Sequence, residues 1–153
     1  MRTGPDFLEC PASGERVEIV RRPDEHGEHA EILVTLGVVG SGPGPHLHPE
    51  QIEHFRVVKG SVQVLVGDAT VVVGAGEEVT VPPSTAHAYR AVEPDTELLI
   101  RITPGHGFES ALEDVYELFD RGTIEAGVIQ DTDAFDACFE RHKGVMISLR
   151  NRS

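Results

Sequence analysis

The sequence predicts an all-β domain with helices at its C-terminal end, and three observations carry that expectation. From Glu15 to Thr103, short runs rich in Val, Ile, Thr and Leu are punctuated by Gly, Pro and Asp at intervals of about 8–12 residues. Within several runs the apolar residues alternate, as at Ile32, Val34, Leu36 and Val38 and at Leu98, Ile100 and Ile102, so each strand has one face to bury. After Pro104 the period changes from two to that of a helix, with Ala111, Leu112, Val115, Leu118 and Phe119 on one stripe.

The predicted strands cover residues 16–21, 31–39, 53–59, 61–66, 69–73, 78–81, 87–93 and 97–102. Gly67-Asp68 joins two of them as a tight hairpin, because glycine tolerates positive φ. Eight strands suffice for two facing sheets, a sandwich or a barrel. Ser110 precedes Glu113 by three residues, as in a capping box, and Gly122 can end the helix in a left-handed conformation. That places a first helix over about residues 111–121. A second, over 133–142, has Ala134, Phe135, Cys138 and Phe139 on one side and Gly144 beyond its end.

At 153 residues the chain suits one domain, 1–153, with a barrel core over about 15–104 and a helical extension over about 108–144. No apolar run approaches the roughly 20 residues of a membrane helix. The first residues lack the apolar stretch of a signal peptide, so the expected location is cytoplasmic. Cys10 and Cys138 are too far apart for a zinc knuckle or a dithiol motif and read as reduced, structural residues. A formal charge of −13 repels phosphate backbones and anionic membrane surfaces, which argues against nucleic acid and membrane as partners.

The candidate chemistry lies in four residues. His46 and His48 are two apart, so on extended backbone both imidazoles leave the same face and can converge on one ion. Glu53 shares a face with Phe55 and Val57 and so points inward, where an unpartnered carboxylate is costly to bury. A metal ion would supply the partner. The same alternation turns His87 inward with Tyr89 and Ala91. Three imidazole nitrogens and one carboxylate suit a divalent transition metal, Fe, Mn, Co, Ni, Cu or Zn, rather than Mg or Ca.

Other histidines have ordinary explanations. His54 alternates with Glu53 and faces outward, His26 and His29 sit in a polar turn, His106 lies in a connection, and His142 ends the second helix. Phe55 and Tyr89 share the inward faces of the ligand strands and are candidates to line a pocket, as well as to pack the core. Arg101 interrupts an apolar run; an outward position is the simpler expectation, and an inward one would let it grip an anionic substrate from the pocket wall.

These spacings resemble the two motifs of the cupin superfamily. The first motif is Gly, five residues, His-x-His, three or four residues, Glu, six residues, Gly; Gly40, His46, His48, Glu53 and Gly60 fill every position. The second is Gly, five residues, Pro-x-Gly, two residues, His, three residues, Asn. Gly76, Pro82 and His87 match it, while Ser84 stands for the Gly and Ala91 for the Asn. Those departures bear on the local turn and spare the ligands.

The resemblance implies a double-stranded β-helix, the jelly-roll cupin barrel, with His46, His48, Glu53 and His87 as ligands of one divalent transition metal. Small cupins with a helical C-terminal extension include some similar to quercetinase-type dioxygenases. The leading expectation is therefore a metal-dependent dioxygenase acting on a small chelating organic substrate, with Glu53 also able to detach and serve as a catalytic base. The alternatives are a redox-neutral isomerase, cyclase or lyase that uses the metal as a Lewis acid, and a non-catalytic barrel that binds a small ligand. A homodimer is expected by analogy, through edge strands.

Overall fold

A computed structural model of the chain describes residues 2–4, 6–11, 13–23, 28–122, 124–125 and 128–149. In chain order the elements are β1 (Arg2–Gly4), β2 (Phe7–Cys10), β3 (Glu15–Arg21), β4 (Ala30–Leu36), β5 (His46–Leu47), β6 (Ile52–Lys59), β7 (Ser61–Val66), β8 (Ala69–Gly74), β9 (Glu78–Val81), β10 (His87–Ala91) and β11 (Thr96–Thr103). There follow α1 (Phe108–Asp120), β12 (Ile124–Glu125), β13 (Val128–Ile129), α2 (Thr132–Arg141) and β14 (Ile147–Ser148).

Two antiparallel sheets face each other. One runs β1-β2-β3-β4-β11-β6-β9 and the other β14-β5-β10-β7-β8, the arrangement of a jelly-roll barrel. β12 and β13 form a separate hairpin.

The alternation seen in the sequence decides which face each strand buries. In β4, Ile32, Val34 and Leu36 are buried, and in β11 so are Leu98, Ile100 and Ile102, which lie opposite them in register. Phe55 and Val57 of β6 and Val62 and Val64 of β7 complete the middle of the barrel core. All eight predicted strands are present. Val38, expected on the buried face, is instead exposed, because β4 stops at Leu36. There Gly37 packs against Gly14, donating its N–H to the Gly14 carbonyl at 3.0 Å, and the chain turns away from the sheet.

The hairpin at Gly67-Asp68 forms as read, with Val66 opposite Ala69 and Gly67 at φ +58°. Gly60, which closes the first motif, joins β6 to β7 at φ +81°, and a Cβ there would collide with the buried Thr96 side chain. Glycine is required on both counts.

Helix α1 begins at Phe108, three residues before the expected start, and no capping box forms. Its cap is Gly107, at φ +82° with no side-chain hydrogen bond, and Ser110 lies inside the first turn. The early start seats Phe108 in the barrel core. The C-terminal expectation holds: Gly122, at φ +72°, follows the last turn and donates to the Phe119 carbonyl at 3.1 Å. α2 is capped by Asp131, which accepts from Ala134 N–H at 3.0 Å. His142 caps the other end of α2 and meets Asp114 of α1 at 2.6 Å, tying the two helices together.

Candidate metal centre

Three of the four candidate ligands come from strands and the fourth adjoins one, and the strand registers bring them together. β5 supplies His46, opposite His87 of β10; His48 follows β5 directly; β6 supplies Glu53 from the facing sheet. The ligand atoms of His46, His48, Glu53 and His87 all lie within 4.8 Å of one another. The imidazole centroids are 4.3 Å apart for His46 and His87 and 5.1 Å apart for each of the other two pairs.

One nitrogen of each imidazole is already committed to the main chain. Nδ1 of His46 meets the Gly44 carbonyl at 2.8 Å, Nδ1 of His87 the Thr85 carbonyl at 2.9 Å, and Nδ1 of His48 the Val145 carbonyl at 2.9 Å. A carbonyl can only accept, so each Nδ1 carries a proton and Nε2 is the atom presented to the site.

On the Nε2 side, His87 is 2.7 Å from Glu53 Oε2, a separation that one shared proton bridges and that a bound ion would displace. His48 Nε2 is 2.9 Å from the same oxygen but off the hydrogen-bonding axis, so this buried nitrogen has no hydrogen-bond partner among the described residues. An orphaned lone pair of this kind, beside two more imidazoles and a buried carboxylate, fits a divalent transition metal.

The electrostatics agree with that use. Burial alone would push the Glu53 carboxyl up, but the imidazoles of His48 and His87, 2.9 and 2.7 Å from its Oε2, outweigh it and hold the group well below the usual carboxylate range. Burial and the neighbouring His87 push His46 down to about 4, leaving it neutral and able to ligate at physiological pH. Burial also pulls on His48, yet the Glu53 carboxylate and the Val145 carbonyl prevail and raise it.

His48, Glu53 and His87 are buried and His46 is partly exposed, so solvent approaches the quartet on the His46 side. Below the ligands, the Phe55 ring lies 6.3 Å from His87 and 5.2 Å from Tyr89, both edge-to-face. Burial and the Glu53 charge push the Tyr89 hydroxyl well above its ordinary value, so it remains a proton donor.

Arg101 does not join them. It lies on the outer face, where its guanidinium meets Glu31 at 3.2 Å, because Ile100 and Ile102 hold the inward positions of β11. His54 also faces outward, with Nδ1 at 2.9 Å from Thr80 Oγ1 and Nε2 at 3.6 Å from Glu78. His29 pairs with Glu31 at 3.0 Å, and His106 is exposed in the turn before α1. His26 lies outside the described residues.

The second motif's turn survives its substitutions. Ser84 takes the left-handed conformation of the expected glycine, at φ +57°, and donates its N–H to the His48 carbonyl and its hydroxyl to the Pro49 carbonyl, both at 2.8 Å. Ala91 clamps the start of the first motif by main chain alone, its carbonyl accepting from Gly40 and its N–H donating to Ser41, both at 2.9 Å.

Sequence reasoning missed the carbonyls of Gly44, Thr85 and Val145, for which no side-chain pattern exists. It also missed a carboxylate at the edge of the barrel. Glu15 shares the inward face of β3 with Val17 and Ile19 and accepts hydrogen bonds from Gly42 N–H and the Ser13 and Tyr116 hydroxyls; burial nonetheless raises its pKa. Its place two residues before Val17 and four before Ile19 was the available signal.

Comparison with known proteins agrees with the geometry. Residues 32–103 match the cupin domain family Cupin_2. The chain belongs to the cupin superfamily. This cupin is 36% identical over 108 residues to quercetin 2,3-dioxygenase of Aspergillus japonicus, a match covering 67% of this chain and 27% of that protein. It thus spans about a quarter of the length of that relative.

Solved structures share the fold at lower identity. KdgF from Halomonas sp. superimposes with a TM-score of 0.60 at 21% identity, over 68% of this cupin and 90% of that chain. An RmlC-like cupin from Shewanella frigidimarina gives 0.59 at 18% identity, over 71% and 93%. Pac13, described as a nucleoside dehydratase, gives 0.53 at 17% identity, over 67% and 84%, and a variant of Streptomyces PAC13 solved with uridine gives the same values over 71% and 88%.

Proposed function

We propose that this cupin is a metal-dependent oxidoreductase of the dioxygenase kind, acting on a small organic substrate. The observation that carries the reading is the presentation of three imidazole Nε2 atoms and the Glu53 carboxylate toward one point, each imidazole locked by a main-chain carbonyl. The 36% identity to a quercetin dioxygenase supports the reaction class.

In this reading His46, His48, Glu53 and His87 hold one divalent transition metal, Fe, Mn, Ni, Co, Cu or Zn. Held there, such an ion would supply Lewis-acid activation of a chelating organic substrate toward dioxygen. The chain's own residues set the conditions. Glu53 would act as a base toward a substrate hydroxyl only on leaving its ligand position and the two imidazoles that hold it ionised. Phe55 and Tyr89 close the inner side of the site and keep water from it, while the partly exposed His46 marks the side of entry.

The test is oxygen consumption by protein loaded with Fe, Mn, Ni or Co across a panel of flavonols, diketones and catechols. Uptake coupled to substrate loss is expected. No uptake with any member of the panel overturns the dioxygenase reading, and turnover under strictly anaerobic conditions replaces it with a redox-neutral lyase or isomerase.

The same reading includes a homodimer. β8 ends the smaller sheet, contains no charged residue, and exposes Val71 and Val72, the kind of edge that pairs with a second copy. Light scattering on the eluting protein should return twice the chain mass.

A further inference from the structure

β5 carries a metal-ligand residue in a strand of only two residues, too short to hold its own position. It is gripped on both sides. On one side His46 lies opposite His87 of β10; on the other, His46 lies opposite Ser148 and Leu47 opposite Ile147 of β14. β14 comes from beyond both helices, so part of the C-terminal extension is a strand of the ligand sheet. Leu149 N–H adds a bond to the Pro45 carbonyl at 3.0 Å, just ahead of His46.

The three orienting carbonyls differ in origin. His46 and His87 each take theirs from the residue two positions earlier, Gly44 and Thr85, within their own loops. His48 takes its carbonyl from Val145, 97 residues away in sequence. The ring of His48 also faces Phe108 of α1, edge-to-face at 6.0 Å. Val145 is itself placed by the end of α2, since its N–H donates to the His142 carbonyl at 2.8 Å, and the buried Met146 donates to the same carbonyl at 2.9 Å.

We infer that segment 145–149 is the positioning element of the metal centre, and that metal binding and docking of this segment are coupled. The inference rests on the reading of the quartet as a metal site. With the segment in place, His48 is fixed in one tautomer and one ring orientation; without it, Nδ1 loses its acceptor and the imidazole is free to turn. Removing such an outer partner of a ligating histidine commonly weakens metal binding about 10–100-fold. Coupling of this kind is reciprocal, so the metal protects the docked segment by the factor with which docking strengthens the metal.

The test compares the full chain with a chain ending at Gly144, both titrated with Co(II) and followed by the visible absorption of the bound ion. Circular dichroism checks that the shortened chain folds. The full chain is expected to bind one Co(II), and the shortened chain to bind it about 10–100-fold more weakly. In the full chain, Co(II) should slow hydrogen exchange across residues 145–149.

Equal Co(II) affinity in a folded shortened chain, or exchange across 145–149 that is indifferent to Co(II), overturns the coupling while leaving the metal reading intact. Where the shortened chain does not fold, the exchange measurement on the full chain decides alone. Failure of the full chain to bind Co(II) overturns the metal reading and this inference with it.

Discussion

Ser84 donates a hydrogen bond from its hydroxyl to the carbonyl of Pro49 at 2.8 Å while sitting at φ +57°, a conformation L side chains rarely adopt. The bond offsets the strain of a non-glycine residue at a turn whose N–H also holds the His48 carbonyl. Ser84→Ala keeps the strain and loses the hydroxyl, and should lower unfolding free energy by about 1 kcal/mol. Ser84→Gly loses both and should stay within about 0.5 kcal/mol of the parent. Urea denaturation of the two variants reads the difference; equal losses would show that relieving the strain at φ +57° contributes nothing.

Elemental analysis of untagged protein should find close to one transition-metal ion per chain. His46→Ala and His87→Ala should each lose it, since each removes an Nε2 from a set of four. His54→Ala should keep it, because that ring bonds Thr80 on the outer face. Metal retained in either ligand variant would break the site.

Acid should weaken metal binding before it unfolds the chain. Metal needs neutral imidazoles, and His48, whose pKa is raised by the Glu53 carboxylate against the pull of burial, is a ligand that protons contest. Below the His48 pKa the affinity should fall about tenfold per pH unit for the one proton displaced. His46, pushed down to about 4, adds no competition near neutrality. Titrations at pH 6, 7 and 8 measure the slope, and a flat profile would remove His48 from the ligand set.

Glu15 makes stability depend on pH in the opposite sense from the usual carboxylate. Its folded pKa lies above the ordinary value because burial outweighs the hydrogen bonds from Gly42, Ser13 and Tyr116. The stabilisation tied to its proton is therefore complete below the ordinary carboxylate pKa and is lost as pH rises through the folded one. Glu15→Gln keeps an acceptor and stays neutral. The stability difference between variant and parent, from denaturation at pH 4, 6 and 8, should shift toward the variant as pH rises.

Arg101→Ala should leave metal content and turnover unchanged and alter stability by less than about 1 kcal/mol, since its pair with Glu31 is on the exposed face. Phe55→Ala should cost about 3–5 kcal/mol, as its ring is 1% exposed in the barrel core. A thermal-shift series including both variants separates surface from core.

Much of this architecture was legible in the residues themselves. Strands such as β4 and β11 announce their buried faces by alternation, and the same alternation in β6 turns Glu53 inward with Phe55 and Val57. The two-residue strands β5 and β14 were not legible, since a pair of residues has no period and exists only through its partners. The capping-box pattern at Ser110 misled because Gly107 turns the chain earlier and Phe108 gains burial by joining the helix. Polar Glu15 escaped notice because two of its three hydrogen-bond partners, Gly42 and Tyr116, lie in a distant loop and in α1.

The commitment of three imidazoles to main-chain carbonyls has a consequence for how such a centre can be mapped and how it can drift. Gly44, Thr85 and Val145 contribute through atoms that every residue type possesses. An alanine scan would keep the carbonyls of Thr85 and Val145 in place, and so would report on their side chains and not on their hold over the imidazoles. Only changes to chain path, by deletion, insertion or proline, would expose what these positions hold in place.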